Sequence, residues 1–161
     1  MDISGWPKTF GFGRPASSGE IISKDIDVGS DGKGLPGGSG DAATGRIIYL
    51  AKCAYCHGKT GIEGPYNRLV GTVSDTLKVK TIGNYWPYAT TIFDYIRRAM
   101  PLDTPGSLSS VEVYSLTAFL LASNKIVDSN VVINAQTLPE IIMPAKEFFV
   151  PDDRKGGPEI R

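Results

Sequence analysis

Apolar residues recur at helical spacing mainly in the middle of the chain, where they predict three helices. The first helix is expected over Ala42–Cys56, because Gly45, Tyr49 and Cys53 follow one another at intervals of four and therefore share one face. Asp41 precedes this segment and is suited to cap its N-terminus.

The second and third helices are predicted over Ala89–Ala99 and Ser110–Ser123. Pro101 ends the second, and Ser109 with Glu112 forms a capping box that begins the third. Asn124 is suited to stop the third. Each helix has an apolar stripe, made of Ile92, Phe93 and Ile96 in the second and of Val113, Leu116, Phe119 and Leu120 in the third.

Glycine and proline are concentrated outside this helical centre. The chain of 161 residues has 19 glycines and 11 prolines, and these residues favour turns and extended backbone. We therefore expect an all-α domain at 41–124 between irregular arms at 1–40 and 125–161. Residues 58–88 of the domain are predicted to form loops, with one short helix near Ser74–Val79.

The two arms are richer in apolar residues than a freely disordered tail. Examples are the pairs Ile21–Ile22 and Ile141–Ile142. Two interpretations stay open for them: the arms wrap a partner, or they fold back on the domain as extra cover.

Charge and composition exclude several classes of function. Seventeen basic and 17 acidic residues give a net charge of zero, so no strong field attracts nucleic acid. No stretch approaches the roughly 20 apolar residues of a membrane helix. One histidine and two cysteines cannot build a multi-histidine metal centre or a disulfide framework.

The candidate chemistry lies in the motif Cys53-Ala54-Tyr55-Cys56-His57. This is the C-x-x-C-H pattern of c-type haem attachment. Two thiols three residues apart reach the two vinyl groups of one porphyrin, and the adjacent imidazole is presented to the iron. A redox C-x-x-C is expected at the start of a helix after a strand. A structural zinc ion needs more ligands than this motif offers.

The iron needs a second axial ligand, and no other histidine is present. A thioether suits haem iron. Met100 is the favoured ligand, because it follows the second predicted helix and Pro101 turns the chain after it. Met1 is terminal, and Met143 is interpreted as a core or docking methionine. A distal position left open for a ligand is the remaining alternative.

Several nearby residues are candidates for the haem surroundings. A carbonyl of the Gly64–Pro65 turn can accept the second N–H of His57, although the pair also fits a plain turn. Tyr85 and Trp86 can cover the haem or pack in the core. Three arginines can pair with haem propionates or remain solvated, namely Arg68, Arg97 and Arg98.

Taken together, Gly45, Tyr49, the C-x-x-C-H motif, Gly64–Pro65 and Met100–Pro101 resemble class I cytochromes c. The resemblance covers about 41–124. It implies that the first and last helices cross where a small residue meets an aromatic one. It also implies that the Pro65 carbonyl holds His57 and that Met100 is the distal ligand of one covalent haem c.

A narrower similarity extends into both arms. Thr9–Pro15, Asp25–Val28, Asn84–Thr91, Phe93–Pro101 and Leu138–Pro144 are similar to the cytochrome subunits of sulfane (sulfite) dehydrogenases of sulfur oxidation. This similarity implies an electron-transfer subunit without catalysis of its own. The implied partners are a molybdenum-cofactor dehydrogenase subunit and a downstream acceptor cytochrome. Some members carry a second haem domain, for which this chain has no second motif.

Two other functions stay open at this stage. One is a freely diffusing electron-shuttle cytochrome, and the other is a haem enzyme or sensor with an open distal site. Haem attachment in bacteria occurs outside the cytoplasm, so we expect a periplasmic protein whose signal peptide has been removed. We also expect the chain without haem to be largely unfolded, because a core of this size rarely holds together unaided.

Overall fold

The computed structural model describes Gly5 and residues 11–71 and 79–153. These residues form the following elements in chain order: α1 Ser18–Lys24, β1 Ser39–Asp41, α2 Ala42–Lys52, α3 Ala54–His57, α4 Ile82–Tyr85, α5 Ala89–Ala99, α6 Ser110–Ser123, β2 Val132–Asn134 and a 3-10 helix at Pro144–Phe148. The short helix predicted near Ser74–Val79 lies, apart from Val79, outside the described residues.

Two of the three predicted helices have the predicted bounds, and their ends show why. Helix α6 begins with the expected capping box: Ser109 Oγ accepts from the Glu112 N–H at 3.3 Å, and Glu112 accepts from the Ser109 N–H at 2.9 Å. Asn124 is its C-terminal cap. Helix α5 ends at Ala99 because Met100 turns to extended backbone before Pro101.

The first predicted helix is in fact two helices. Asp41 caps α2 as expected, accepting from the Thr44 N–H at 2.9 Å. Helix α2 then ends at Lys52, because Cys53 leaves helical geometry with φ −123° and ψ −33°, and α3 follows it. The C-x-x-C-H motif therefore begins at a break in the helix.

Helices α2 and α6 cross in close contact at Gly45. A Cβ atom at this position would lie 1.9 Å from the carbonyl oxygen of Ser115, so only glycine allows the approach. Tyr49, one turn further along α2, packs on Phe119 of α6 with ring centroids 4.9 Å apart. The expected crossing of a small and an aromatic residue is present.

The two arms pair with each other and pack on the helical domain. Strands β1 and β2 are antiparallel, and Gly40 is opposite Ile133. Ile133, Leu138 and Met143 are at most 1% exposed and belong to the same core as α5 and α6. The arms, which were expected to be irregular, also contain the regular elements α1, β1, β2 and the 3-10 helix at Pro144–Phe148. The cause of the pairing is tertiary, since it joins strands about 90 residues apart.

The N-terminal arm is also held along α5 by polar contacts. The Val28 N–H donates to the buried Asp94 carboxylate at 2.8 Å. Arg97 Nη1 donates to the Ile26 carbonyl at 3.0 Å and to the Gly34 carbonyl at 3.4 Å. Residues 26–40 are therefore part of the folded unit.

Candidate haem-attachment site

The two cysteines and the histidine lie on one tight turn directly after α2. The N–H groups of Cys56 and His57 donate to the Cys53 carbonyl at 3.1 and 3.0 Å. Both cysteines are free and half-buried. All three side chains therefore leave the backbone within a single turn, as attachment to one porphyrin requires.

The surroundings of the first cysteine do not suit a dithiol redox site. Burial raises the pKa of the Cys53 thiol from its ordinary 9.0 to about 11. A redox-active C-x-x-C needs a lowered thiol pKa, because the thiolate is the nucleophile. At neutral pH Cys53 is a protonated thiol, and helix α2 precedes it where a thioredoxin-like motif would have a strand.

One nitrogen of the His57 imidazole is oriented by the backbone of the following loop. Nδ1 lies 2.9 Å from the Asn67 carbonyl oxygen. A proton on Nδ1 donated to that carbonyl leaves Nε2 as the nitrogen free to ligate iron. The expectation that the Pro65 carbonyl would be the acceptor is wrong in this structure, where Asn67 fills that role.

Gly64 explains why the acceptor is the carbonyl of Asn67 and not that of Pro65, two residues earlier. A Cβ atom at Gly64 would lie 2.3 Å from both the Cys56 carbonyl oxygen and the His57 carbonyl carbon, so the loop passes directly over the motif. The Tyr66 N–H then donates to the Cys56 carbonyl at 3.1 Å. The chain runs back along the motif, and Asn67 comes opposite the imidazole.

The rest of this loop is held by residues that sequence reasoning missed. The Leu69 N–H donates to the Gly61 carbonyl at 2.8 Å. Asn124 accepts from the Gly71 N–H at 2.9 Å and donates to the carbonyls of Leu69 and Leu120 at 3.2 and 2.8 Å. Asn124 therefore ties the end of α6 to the His57 loop. Only its role as a helix stop was readable from the sequence.

The two methionines within the described residues lie in different environments. Met100 is half-buried at the end of α5, and Met143 is 1% exposed within the core. A side chain covered on every side by protein atoms cannot also face a haem. Met100 is the better candidate for a distal ligand. Met1 lies outside the described residues.

Tyr85 and Trp86 occupy different neighbourhoods. Tyr85 is 37% exposed and meets Phe149 of the C-terminal arm edge to face, with ring centroids 5.6 Å apart. Trp86 is half-buried and makes a similar contact with Tyr95 of α5 at 5.7 Å. Both rings pack on protein elements, and Trp86 also contacts the hydrophobic core.

The three candidate arginines are also separated by their contacts. Arg97 is bonded to the N-terminal arm as described above, and Arg98 donates to Asp94 one turn earlier on α5. Arg68, beside Asn67, is half-buried, and its Nε atom is buried without a hydrogen-bond partner in the part of the chain that is described.

These residues together fit a covalently attached haem. Two free thiols stand one turn apart, and an imidazole has its second nitrogen fixed by a carbonyl. A half-buried methionine follows helix α5, and a buried guanidinium N–H has no acceptor among the described residues. Such a set suits a ligand that supplies vinyl carbons, iron and carboxylates at once.

Comparison with known proteins agrees with this site. Residues 40–120 match the family model described as cytochrome c oxidase, cbb3-type, subunit III. That stretch is half of the chain and includes the C-x-x-C-H turn, the His57 loop and Met100. The chain belongs to this family of cytochrome c domains. Its mostly helical fold with terminal extensions is that of a cytochrome c, and it carries one haem c that serves one-electron transfer.

A solved structure is similar over more of the chain. The similar chain is in the crystal structure of the sulfane dehydrogenase SoxCD from Paracoccus pantotrophus, with a TM-score of 0.78 and 42% identity. The match covers 91% of this chain and 74% of that chain. A search of curated proteins finds no match. No helix within the described residues is long and apolar enough to cross a membrane.

Proposed function

We propose that this protein is the cytochrome subunit of a sulfane or sulfite dehydrogenase and receives electrons from a molybdenum-containing catalytic subunit. The observation that supports this most is the extent of the SoxCD similarity. It covers 91% of the chain, whereas the general cytochrome match covers residues 40–120. The likeness therefore includes the arms, which electron transfer alone does not require.

The proposed proximal side is built from the motif. Cys53 and Cys56 form the two thioether links, and His57 ligates iron through Nε2. The Asn67 carbonyl holds the imidazole in one orientation and increases its basicity as a ligand. Haem c, when bound, supplies the one-electron ferric–ferrous couple.

Met100 is the proposed distal ligand. Its replacement by alanine should abolish the weak ferric absorption band near the red end of the spectrum that marks iron–thioether ligation. Met143→Ala is the matched control and should keep the band. It should also destabilise the protein by about 2–5 kcal/mol, because it opens a cavity in the core. Loss of the band in the control alone would contradict the assignment.

The ligand experiment also tests the alternative of an open distal site. A haem enzyme or sensor has no thioether band and binds carbon monoxide rapidly when reduced. A protein with two strong axial ligands binds it slowly. Rapid binding by the unmodified ferrous protein would favour the alternative.

We propose a division into a haem domain at 41–124 with arms at 1–40 and 125–161. The domain carries the haem, and the exposed parts of the arms face the catalytic subunit. Residues 11–25 suit this role, because every one of them is exposed and none belongs to the hydrophobic core. The protein acts in the periplasm and passes its electrons to a downstream cytochrome.

Purification from the native host tests the assembly. We expect the haem absorption to co-elute with molybdenum in gel filtration, at a mass well above the 17.3 kDa of this chain. The two signals should stay in constant ratio across the peak. Elution of the haem alone at the mass of a single chain would instead identify a freely diffusing shuttle.

A further inference from the structure

One arginine near the motif, Arg68, has a buried nitrogen that lacks an acceptor within the part of the chain that is described. Arg97 and Arg98 both donate to protein oxygens, and Arg68 Nε has no hydrogen-bond partner among the described residues. Arg68 also takes no part in the ion pairs found among the described residues. Those pairs join Arg14 to Glu20, Lys52 to Glu112 and Arg98 to Asp94.

An unpaired Nε–H is costly for chemical reasons. The guanidinium is always charged and offers only donors. A buried donor without an acceptor loses its hydrogen bonds to water and gains nothing in exchange. Such a donor requires an acceptor from outside the described residues, and an anion would offset the guanidinium charge as well as accept the hydrogen bond.

The backbone on either side of Arg68 is held in place. Asn67 accepts from the His57 imidazole, and Leu69 donates to the Gly61 carbonyl. The Leu69 carbonyl accepts from both the Ile82 N–H and Asn124 Nδ2, at 3.3 and 3.2 Å. Arg68 therefore extends from a rigid base one residue away from the group that orients the proximal ligand.

We propose that Arg68 binds a propionate carboxylate of the haem through its Nε–H. This inference rests on the proposed attachment of haem at Cys53 and Cys56. The propionates are the only anionic groups of a haem, and the attached molecule must lie against His57, beside this loop. A cation paired with a propionate offsets negative charge near the iron, which disfavours the ferric state and raises the reduction potential.

Substitution of Arg68 in the haem-loaded protein tests the pairing. Arg68→Gln should lower the midpoint potential, by up to a tenfold change in the reduction equilibrium or about 59 mV for one electron. Arg68→Lys, which keeps the charge, should recover part of that shift. Arg46→Gln is the control, because Arg46 is an exposed arginine of α2, and it should leave the potential unchanged.

A measurement on the unmodified protein makes the test independent of how the variants fold. In the ferrous, diamagnetic state, nuclear Overhauser contacts are expected between the Arg68 Nε–H and the methylene protons of one propionate. Arg68→Lys assigns the Nε–H resonance by removing it.

The outcomes separate this inference from the function on which it rests. A protein without covalent haem in the pyridine haemochrome assay contradicts the proposed haem attachment. Covalent haem with no contact between the Arg68 Nε–H and a propionate overturns the Arg68 assignment alone. Equal potentials for Arg68→Gln and Arg46→Gln overturn it as well.

Discussion

The orientation of His57 depends on a glycine that has no chemistry of its own. Gly64 passes so close to the backbone of Cys56 and His57 that no side chain fits there. The Asn67 carbonyl reaches the imidazole because the loop runs back along the motif after this point. A residue three places before the acceptor thus sets the geometry of the proximal ligand.

Gly64→Ala is therefore expected to disturb the haem site. The new methyl group would meet backbone atoms at 2.3 Å, which cannot move aside as a flexible side chain can. We expect a loss of about 1–3 kcal/mol in stability from overpacking and a changed reduction potential. Guanidinium unfolding and potentiometry measure the two effects.

Gly37→Ala is the matched control for that substitution. Nothing lies within 4 Å of a Cβ atom at Gly37, so both properties should stay close to those of the unmodified protein. An unchanged potential in the Gly64→Ala variant would show that the loop does not control His57.

At the scale of elements, one carboxylate joins the two crossing helices. Glu112 completes the capping box at the start of α6 and also pairs with Lys52 at the end of α2, with 2.6 Å between Nζ and Oε1. Two hydrogen bonds lower the pKa of Glu112 from its ordinary 4.5 to about 2. The larger effect comes from the Lys52 ammonium and the smaller one from the Ser109 N–H. Stability from this group is present above pH 4.5 and is lost as the pH falls toward 2.

Glu112→Gln should reveal that dependence on pH. The Lys52 side chain is 42% exposed, so solvent screening limits the expected loss at pH 7 to about 1 kcal/mol. The difference from the unmodified protein should shrink below pH 4.5 and be lost as the pH falls through about 2. Denaturant unfolding across this pH range measures it. Glu140→Gln, at an exposed position, is the control, and a difference that does not shrink between pH 4.5 and about pH 2 would refute the linkage.

At the scale of the whole molecule, the arms are partly structural. Residues from both sides of the helical centre enter the same core, among them Val28 before it and Ile133, Leu138 and Met143 after it. The fold-back interpretation therefore holds for residues 26–40 and for the C-terminal arm through Ala145. Among the described residues of the arms, 11–25 and 146–153 are exposed throughout, so these two stretches offer surface to a partner.

Substitutions at two neighbouring positions of β2 test whether the C-terminal arm shares one core with the helical domain. Ile133 is fully buried and Val132 is 53% exposed, because successive side chains of a strand face opposite sides. Ile133→Ala should cost about 2–4 kcal/mol, and Val132→Ala less than about 0.5 kcal/mol.

The transition should be followed by the haem absorption as well as by circular dichroism. If the arm and the haem domain unfold together, Ile133→Ala lowers the midpoint seen by both probes. A haem transition that stays in place would mean that the C-terminal arm unfolds by itself.

Much of this protein is determined by local sequence. The C-x-x-C-H spacing, the capping residues Asp41 and Ser109 and the periodic apolar positions act within a few residues of each other, so they predict haem attachment and two helices with their true bounds. The residue counts also narrow the choice of axial ligands, because the chain has only one histidine and three methionines.

Tertiary structure alone decided the contacts that join distant parts of the chain. They include the pairing of β1 with β2, the Asn67 acceptor and the Asn124 tie. The Arg68 Nε atom, which has no partner among the described residues, likewise owes its burial to where loops meet after packing. No periodicity marks a loop carbonyl or a buried donor. The sequence by itself therefore determined which cofactor is bound, and the fold decided which loop carbonyl orients the histidine of the motif.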